Sequence, residues 1–209
     1  MKLYNARVCP FAQRARLALR EKGQPYENIE IDLAEMPEWY KRKSPNGKVP
    51  LLELDDGRLV WESAVVAEFV DEACPGPHLM PTDPVQRAYV RIWQSRLGDT
   101  LIPRFYGLLR GKEDAEPMKA VLTELEGHDW QGGPFWLGAQ LSLADVLIFP
   151  WFERWPVLEH YRQLTWDRGR HPHLSAWRDE MLKRPSVTDD ACTPAFFIEM
   201  YSEYAAGKR

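Results

Sequence analysis

The hydrophobic pattern changes its period along the chain. In the first third, short alternating stretches are interleaved with stretches of helical spacing. "KLYN" (2–5) is a strand candidate, and "PFAQRARLALREKG" (10–23) places Phe11, Ala15, Ala18 and Leu19 on one helical face. Pro10 suits a first helical turn, where its missing N–H costs nothing, and Gly23 suits the stop. "YENIEID" (26–32) alternates as a strand does. "VPLLEL" (49–54), the turn "DDG" (55–57) and "LVW" (59–61) predict a hairpin. "SAVVAEFVDEA" (63–73) predicts a helix capped by Ser63. The order β-α-β, a variable connection, then β-β-α predicts a small α+β domain with a mixed sheet.

After residue 73 the strand signal ends. "CPGPHLMPTDP" (74–84) holds four prolines in eleven residues and reads as an extended linker. The expected organisation is a first domain over 1–75, a linker over 76–84 and an all-helical domain over 85–209. The helical stretches are 84–111, bent or broken near Gly98 and Pro103, then 117–130, an apolar and buried 141–161, 171–185, and a short one around 195–204. A loop is expected over 131–140. In "LSLADV", Ser142 and Asp145 have the spacing of a capping box, with Leu141 and Val146 able to staple across it. These residues specify the fold and are not expected to be catalytic.

Charge and composition narrow the function classes. A net charge of -4 gives no basic excess for nucleic acid. The longest apolar stretch, "VLIFPWF" (146–152), is too short to span a bilayer. No apolar leader opens the chain. The three cysteines, Cys9, Cys74 and Cys192, are odd in number and far apart, a poor disulfide framework. A reducing, cytoplasmic setting is therefore expected. Nine tryptophans are a heavy load, and because each buries much area but wants a partner for its N–H, some should line clefts or interfaces. "HPH" (171–173) has no other metal-ligating cluster near it in sequence and reads as a helix-start loop, with no metal expected.

Cys9 carries the candidate chemistry. A thiol reacts as thiolate, and a cysteine capping the helix that starts at Pro10 would face the positive end of the helix dipole. Residues 1–20 contain Lys2, Arg7, Arg14, Arg16 and Arg20 and no acid, which favours an anion there. The alternative is a small buried hydrophobe. A dithiol site would have a second cysteine at position 12. Ala12 stands there, so a reactive Cys9 needs an external thiol, of which glutathione is the natural candidate.

A surface for that tripeptide is available in the same third of the chain. Val49, held extended by Pro50, could pair with a peptide through its main chain. Ser63 and the N–H groups around it could take a carboxylate, and Glu62 an ammonium. A plain hairpin followed by a capped helix is the other reading of these residues.

"CPFAQRARLAL", "MPEWYKRKSPNGKVPLLE", "WESAVVAEFVDEACPG" and "LSLADVLIFPWFERW" together resemble the omega class of glutathione transferases, over nearly the whole chain. The resemblance implies a thioredoxin-like N-terminal domain followed by an all-α C-terminal domain, a cytosolic homodimer, and glutathione as co-substrate. It implies Cys9 as the residue that forms a mixed disulfide with glutathione. It implies Phe11, Val49, Glu62 and Ser63 as glutathione contacts and Pro50 as a cis-proline. The implied activities are thiol transfer and dehydroascorbate reduction on small electrophilic or disulfide substrates. Arg154 and Tyr201 match residues near the second-substrate pocket. Met36 stands where the class commonly has Lys, and Lys48 is the candidate to supply that charge. Pro194 stands where a Trp often lines the pocket. Cys74 and Cys192 are taken as structural or incidental. The rival readings are a non-catalytic binding module of the same fold and a relative of the lambda-class or glutathionyl-hydroquinone-reducing enzymes.

Overall fold

The computed structural model describes residues 1–208 and divides into two compact units, Met1–Pro81 and a second beginning at Thr82. The first unit contains β1 (Lys2–Asn5), α1 (Pro10–Glu21), β2 (Glu27–Glu30), α2 (Glu38–Lys43), β3 (Leu51–Glu53), β4 (Leu59–Trp61) and α3 (Ser63–Ala73). Its four-stranded sheet has the order β2-β1-β3-β4, with β1 and β2 parallel and the other pairs antiparallel.

The registers fix the two faces of this sheet. Tyr4 lies opposite Leu51, and Lys2 opposite Glu53, so these residues share one face. Leu3, Leu52 and Val60 share the other. On the first face, Tyr4 and Leu51 join Ala6, Ala12, Ile31, Tyr40 of α2 and Val49 in a buried cluster. The Tyr4 hydroxyl donates to Glu53 (2.5 Å), and Lys43 of α2 meets the same carboxylate at 2.9 Å. Helices α1 and α3 pack against each other, and α3 packs against β3. The ammonium of Lys22, after α1, donates to the Asp71 carbonyl (2.9 Å), and the Asp71 carboxylate accepts from the N–H groups of Leu79 and Met80. That buried pair holds the middle of the proline-rich segment onto the first unit.

The second unit is all-helical: α4 (Pro84–Asp99), α5 (Leu101–Leu109), α6 (Glu116–Glu126), α7 (Leu143–Glu153), α8 (Trp155–Arg162), α9 (Pro172–Leu182), α10 (Pro185–Thr188), α11 (Pro194–Met200) and α12 (Ser202–Ala205). The break expected near Gly98 and Pro103 falls at Thr100, whose φ of -121° and ψ of -78° are not helical. Gly98 continues α4. Pro103 lies in the first turn of α5, where no N–H is required. The single helix expected over 141–161 is two helices that meet at Arg154, and the Pro in the first turn of α8 is Pro156.

Asp145, fully buried, organises this unit. Its carboxylate accepts the backbone N–H groups of Ser142 (2.8 Å) and Trp136 (2.7 Å), the Ser142 hydroxyl (3.0 Å) and the Trp177 indole N–H (2.8 Å). Burial raises its pKa, and the donors oppose that rise. One carboxylate thus joins the start of α7, the 131–140 loop and α9. Around it Trp136 packs edge-on to Trp177 (5.1 Å between centroids), and His128 stacks on Trp136 at 4.6 Å. No described helix is long and apolar enough to cross a membrane.

Candidate active site

Cys9 occupies the N-cap position of α1 with an extended backbone, φ -75° and ψ 120°. Its N–H donates to the Ala6 carbonyl (2.9 Å), and its carbonyl accepts the N–H of Gln13 (3.0 Å). The sulfur makes no capping hydrogen bond, which corrects the expectation that the side chain caps the helix. Sulfur is a weak acceptor, which accounts for the difference. The half-buried thiol packs instead against the Tyr4–Tyr40–Val49 cluster.

Two of the arginines in the first twenty residues are buried rather than displayed. Arg16 donates to the Asn5 side chain, to the Ala6 carbonyl (3.4 Å) and to the Arg7 carbonyl (3.2 Å), pinning the turn that delivers Cys9. Arg14 lies with its guanidinium 5.4 Å from the Phe11 ring centroid and donates to the Ser63 hydroxyl at 3.2 Å. Burial pushes Arg14 down to about 9, and attraction to Cys9 opposes that fall. Arg14 therefore remains cationic at neutral pH and links Phe11, Cys9 and Ser63.

The Val49–Pro50 peptide bond is cis. Upstream of it, the Lys48 carbonyl accepts the hydroxyls of Tyr40 (2.7 Å) and Ser44 (3.2 Å). The Lys48 N–H donates to the Asn46 side-chain oxygen (3.0 Å). The Asn46 amide in turn donates to the Glu62 carboxylate (3.0 Å). Neither main-chain group of Val49 has a hydrogen-bond partner among the described residues. The Lys48 side chain is exposed, and Met36 packs against the same apolar cluster as Cys9.

Glu62, not Ser63, is the N-cap of α3, a second correction. Its φ of 66° with ψ of 116° is a conformation that side chains other than glycine rarely adopt. Such strain costs on the order of 1–3 kcal/mol and concentrates at ligand sites. Ser63 is the first helical residue, with its hydroxyl turned to Arg14.

The remaining singled-out residues lie elsewhere. Arg154 is fully buried, donates to the Pro150 carbonyl (2.7 Å) and places its guanidinium 4.6 Å over the Phe197 ring. Tyr201, at the end of α11, is also buried, and its N–H donates to the Phe197 carbonyl (3.0 Å). Both thus brace α11 within the second unit. Cys74 is buried after α3, and burial pushes its thiol up, away from reactivity. His171 contacts the Asp167 carbonyl, and His173 the Glu126 carboxylate. Four contributors were not singled out from the sequence: Arg14 as a linking charge, Tyr40, Ser44 and Asn46. "SPNG" carried a turn signal for the last two. Nothing local marked Tyr40 as a donor to residue 48.

A mixed sheet flanked by helices, with a cis-proline before its third strand and a cysteine at the start of its first helix, defines a thioredoxin-like first unit, and an all-helical unit follows it in sequence. Residues 3–78 match the glutathione S-transferase N-terminal domain family, and residues 110–180 match the glutathione S-transferase C-terminal domain family. The chain is 35% identical to glutathione S-transferase omega-1 of Sus scrofa, over 90% of this chain and 79% of that one. The solved structure of glutathione transferase Omega 3C from Trametes versicolor has a TM-score of 0.83 at 30% identity, covering 99% of this chain and 90% of that one. A trimeric glutathione transferase, TDR1 of Leishmania, has a TM-score of 0.88 at 30% identity over 97% of this chain. This chain spans only 47% of that one. The chain belongs to the glutathione S-transferase family and, within it, to the omega class.

Proposed function

We propose that the protein is a glutathione-dependent thiol transferase and dehydroascorbate reductase in which Cys9 forms a mixed disulfide with glutathione. The carrying observation is Cys9 at the start of α1 with Ala12, not a second cysteine, one helical turn on. In the first step the Cys9 thiolate attacks the glutathionyl sulfur of a mixed disulfide. The Cys9–glutathione disulfide forms, and the partner leaves as a thiolate that takes up a proton. In the second step a glutathione thiolate attacks the glutathionyl sulfur of that disulfide, giving oxidised glutathione and regenerating the Cys9 thiolate. With dehydroascorbate, Cys9 adds to a carbonyl carbon. Glutathione then attacks the Cys9 sulfur, releasing ascorbate, and a second glutathione resolves the resulting disulfide.

Glutathione lies extended beside Val49, whose main-chain groups take its cysteinyl portion. Its carboxylate end meets Ser63 and the N-terminus of α3. Its ammonium meets Glu62, and Phe11 and Pro50 close the apolar side. Lys48 supplies positive charge at the rim. Arg154 and Tyr201 act at the second-substrate pocket by supporting its wall, since both are buried. No metal takes part. The protein works in the cytoplasm, where its three thiols stay reduced.

A homodimer accompanies this function. Supporting it, Val85, Tyr89 and Ile92 form an exposed apolar stripe along α4. The molar mass in solution should be twice that of the chain, and a monomer or a trimer would refute this. The central test is Cys9→Ala, expected to lower turnover of a glutathione mixed disulfide by at least ~10³-fold. Full activity in that variant would sink the mechanism, and tight glutathione binding without turnover by the native chain would leave a binding module.

A further inference from the structure

The main chain before the cis-proline is held at three points by side chains that, among the described residues, make no hydrogen bond to Cys9, although the Tyr40 ring shares the apolar cluster on which the thiol packs. The Lys48 carbonyl takes the hydroxyls of Tyr40 (2.7 Å) and Ser44 (3.2 Å), and the Lys48 N–H is taken by Asn46 (3.0 Å). The peptide unit that joins Lys48 to Val49 is planar and trans, so its C=O and N–H point in opposite directions. Gripping the Lys48 oxygen therefore aims the Val49 N–H to the other side of the strand. That N–H has no acceptor within the described residues. Tyr40 is itself fully buried against Tyr4, with ring centroids 5.6 Å apart, so its hydroxyl cannot drift. Burial pushes the phenol up to about 12, which keeps it a proton donor throughout the physiological range.

Asn46 extends the same device to the γ-glutamyl part of the ligand. Its carbonyl oxygen holds the Lys48 N–H, while its amide donates to Oε1 of Glu62 at 3.0 Å. A carboxylate with one oxygen oriented in this way presents the other in a defined direction, which is what a ligand ammonium requires. Glu62 adopts its positive φ within the same connected set.

We propose that Tyr40, Ser44 and Asn46 are positioning residues for glutathione, setting the direction of the Val49 N–H and of the Glu62 carboxylate together, so that the cysteinyl and γ-glutamyl portions of the tripeptide are recognised by one connected set of side chains. The inference rests on the glutathione reading given above. It separates binding from chemistry: these residues should govern affinity for glutathione without altering the reactivity of the Cys9 thiol.

The test uses the full chain with Tyr40→Phe, Ser44→Ala and Asn46→Ala. For each, KM for glutathione and kcat are measured in thiol transfer, with the rate of iodoacetamide alkylation of Cys9 in the absence of glutathione. Loss of one such hydrogen bond should raise KM by about 2- to 10-fold in Tyr40→Phe. A similar rise is expected in Asn46→Ala, with kcat and alkylation rate within about twofold of the native values. Ser44→Ala should have a smaller effect alone and add to Tyr40→Phe. Should Tyr40→Phe fail to fold, Asn46→Ala, at a half-exposed position, carries the test. Unchanged KM in the folded variants, or a loss confined to kcat or to alkylation, overturns the positioning role while leaving the glutathione reading intact. Failure of the native chain to bind glutathione overturns that reading, and the inference with it.

Discussion

At the start of α7 the carboxylate of Asp145 gathers four donors, two from the backbone, one hydroxyl and one indole, and is sealed from solvent. At the start of α1 the half-buried Cys9 offers the helix no capping bond from its sulfur, and the buried charge of Arg14, which acts on it, is shared with Ser63 of another helix. Both sites place a polar group at a helix N-terminus inside a packed unit. One directs its polar group wholly to internal partners. The other sets a half-buried thiol after the first strand with the charge of Arg14 acting on it. The same position on a helix thus serves two different arrangements, a buried carboxylate that meets four donors and a half-buried thiol whose sulfur caps nothing.

The sharpest way to break this contrast is to remove each group in turn. Cys9→Ala should erase turnover yet change unfolding free energy by less than ~1 kcal/mol, because the thiol contributes little beyond partial packing. Asp145→Ala should do the reverse, costing about 3–5 kcal/mol by orphaning several buried donors at once. Urea unfolding of the full chain followed by tryptophan emission measures both. Comparable destabilisation by the two substitutions would dissolve the distinction.

A smaller effect comes from His128, which stacks on the Trp136 ring. Burial pushes its imidazole down to about 4, with charges on Asp129, His173 and Glu126 modifying that shift. A depressed folded-state value means that below about pH 6.5 the unfolded chain takes up a proton that the folded chain refuses. Stability should therefore fall as pH drops from about 6.5 to about 4 and level off below. The part due to His128, discounted for its partial exposure, is about 1–2 kcal/mol. The native chain and His128→Phe, compared at pH 7 and pH 4.5, should differ in slope by that amount. Parallel slopes would remove His128 from the account.

Much of the first unit was legible because its elements are short, alternating and punctuated. The strand at 2–5, the hairpin and the helix from Pro10 stand where the pattern places them. Helix α2 was not legible, since six residues with Tyr40 as the buried one carry no periodicity. In the second unit the helical stretches and the break between Gly98 and Pro103 were visible, but the break at Arg154 was not. Pro103 and Pro156, which follow the two breaks, sit in first turns, whereas Pro150 lies inside α7, so the prolines alone do not mark where a helix ends. At the candidate site, Cys9 and the turn before Pro50 could be found from residue type and spacing. The hydroxyls that grip Lys48 could not, because a Tyr that reaches a carbonyl eight residues away has no sequence signature.

The distribution of tryptophan gives the molecule two separate optical reporters. Trp39 and Trp61 lie in the first unit, 46% and 41% exposed. Trp93, Trp130, Trp136, Trp151, Trp155, Trp166 and Trp177 lie in the second, mostly interleaved with one another, with phenylalanine rings and with His128. Most of the emission, and most of its shift on unfolding, will come from the helical unit. A chain carrying Trp39→Phe and Trp61→Phe would report on that unit alone. The difference spectrum against the native chain would follow the thiol-bearing unit by itself, so the order in which the two units melt can be read without dissecting the protein.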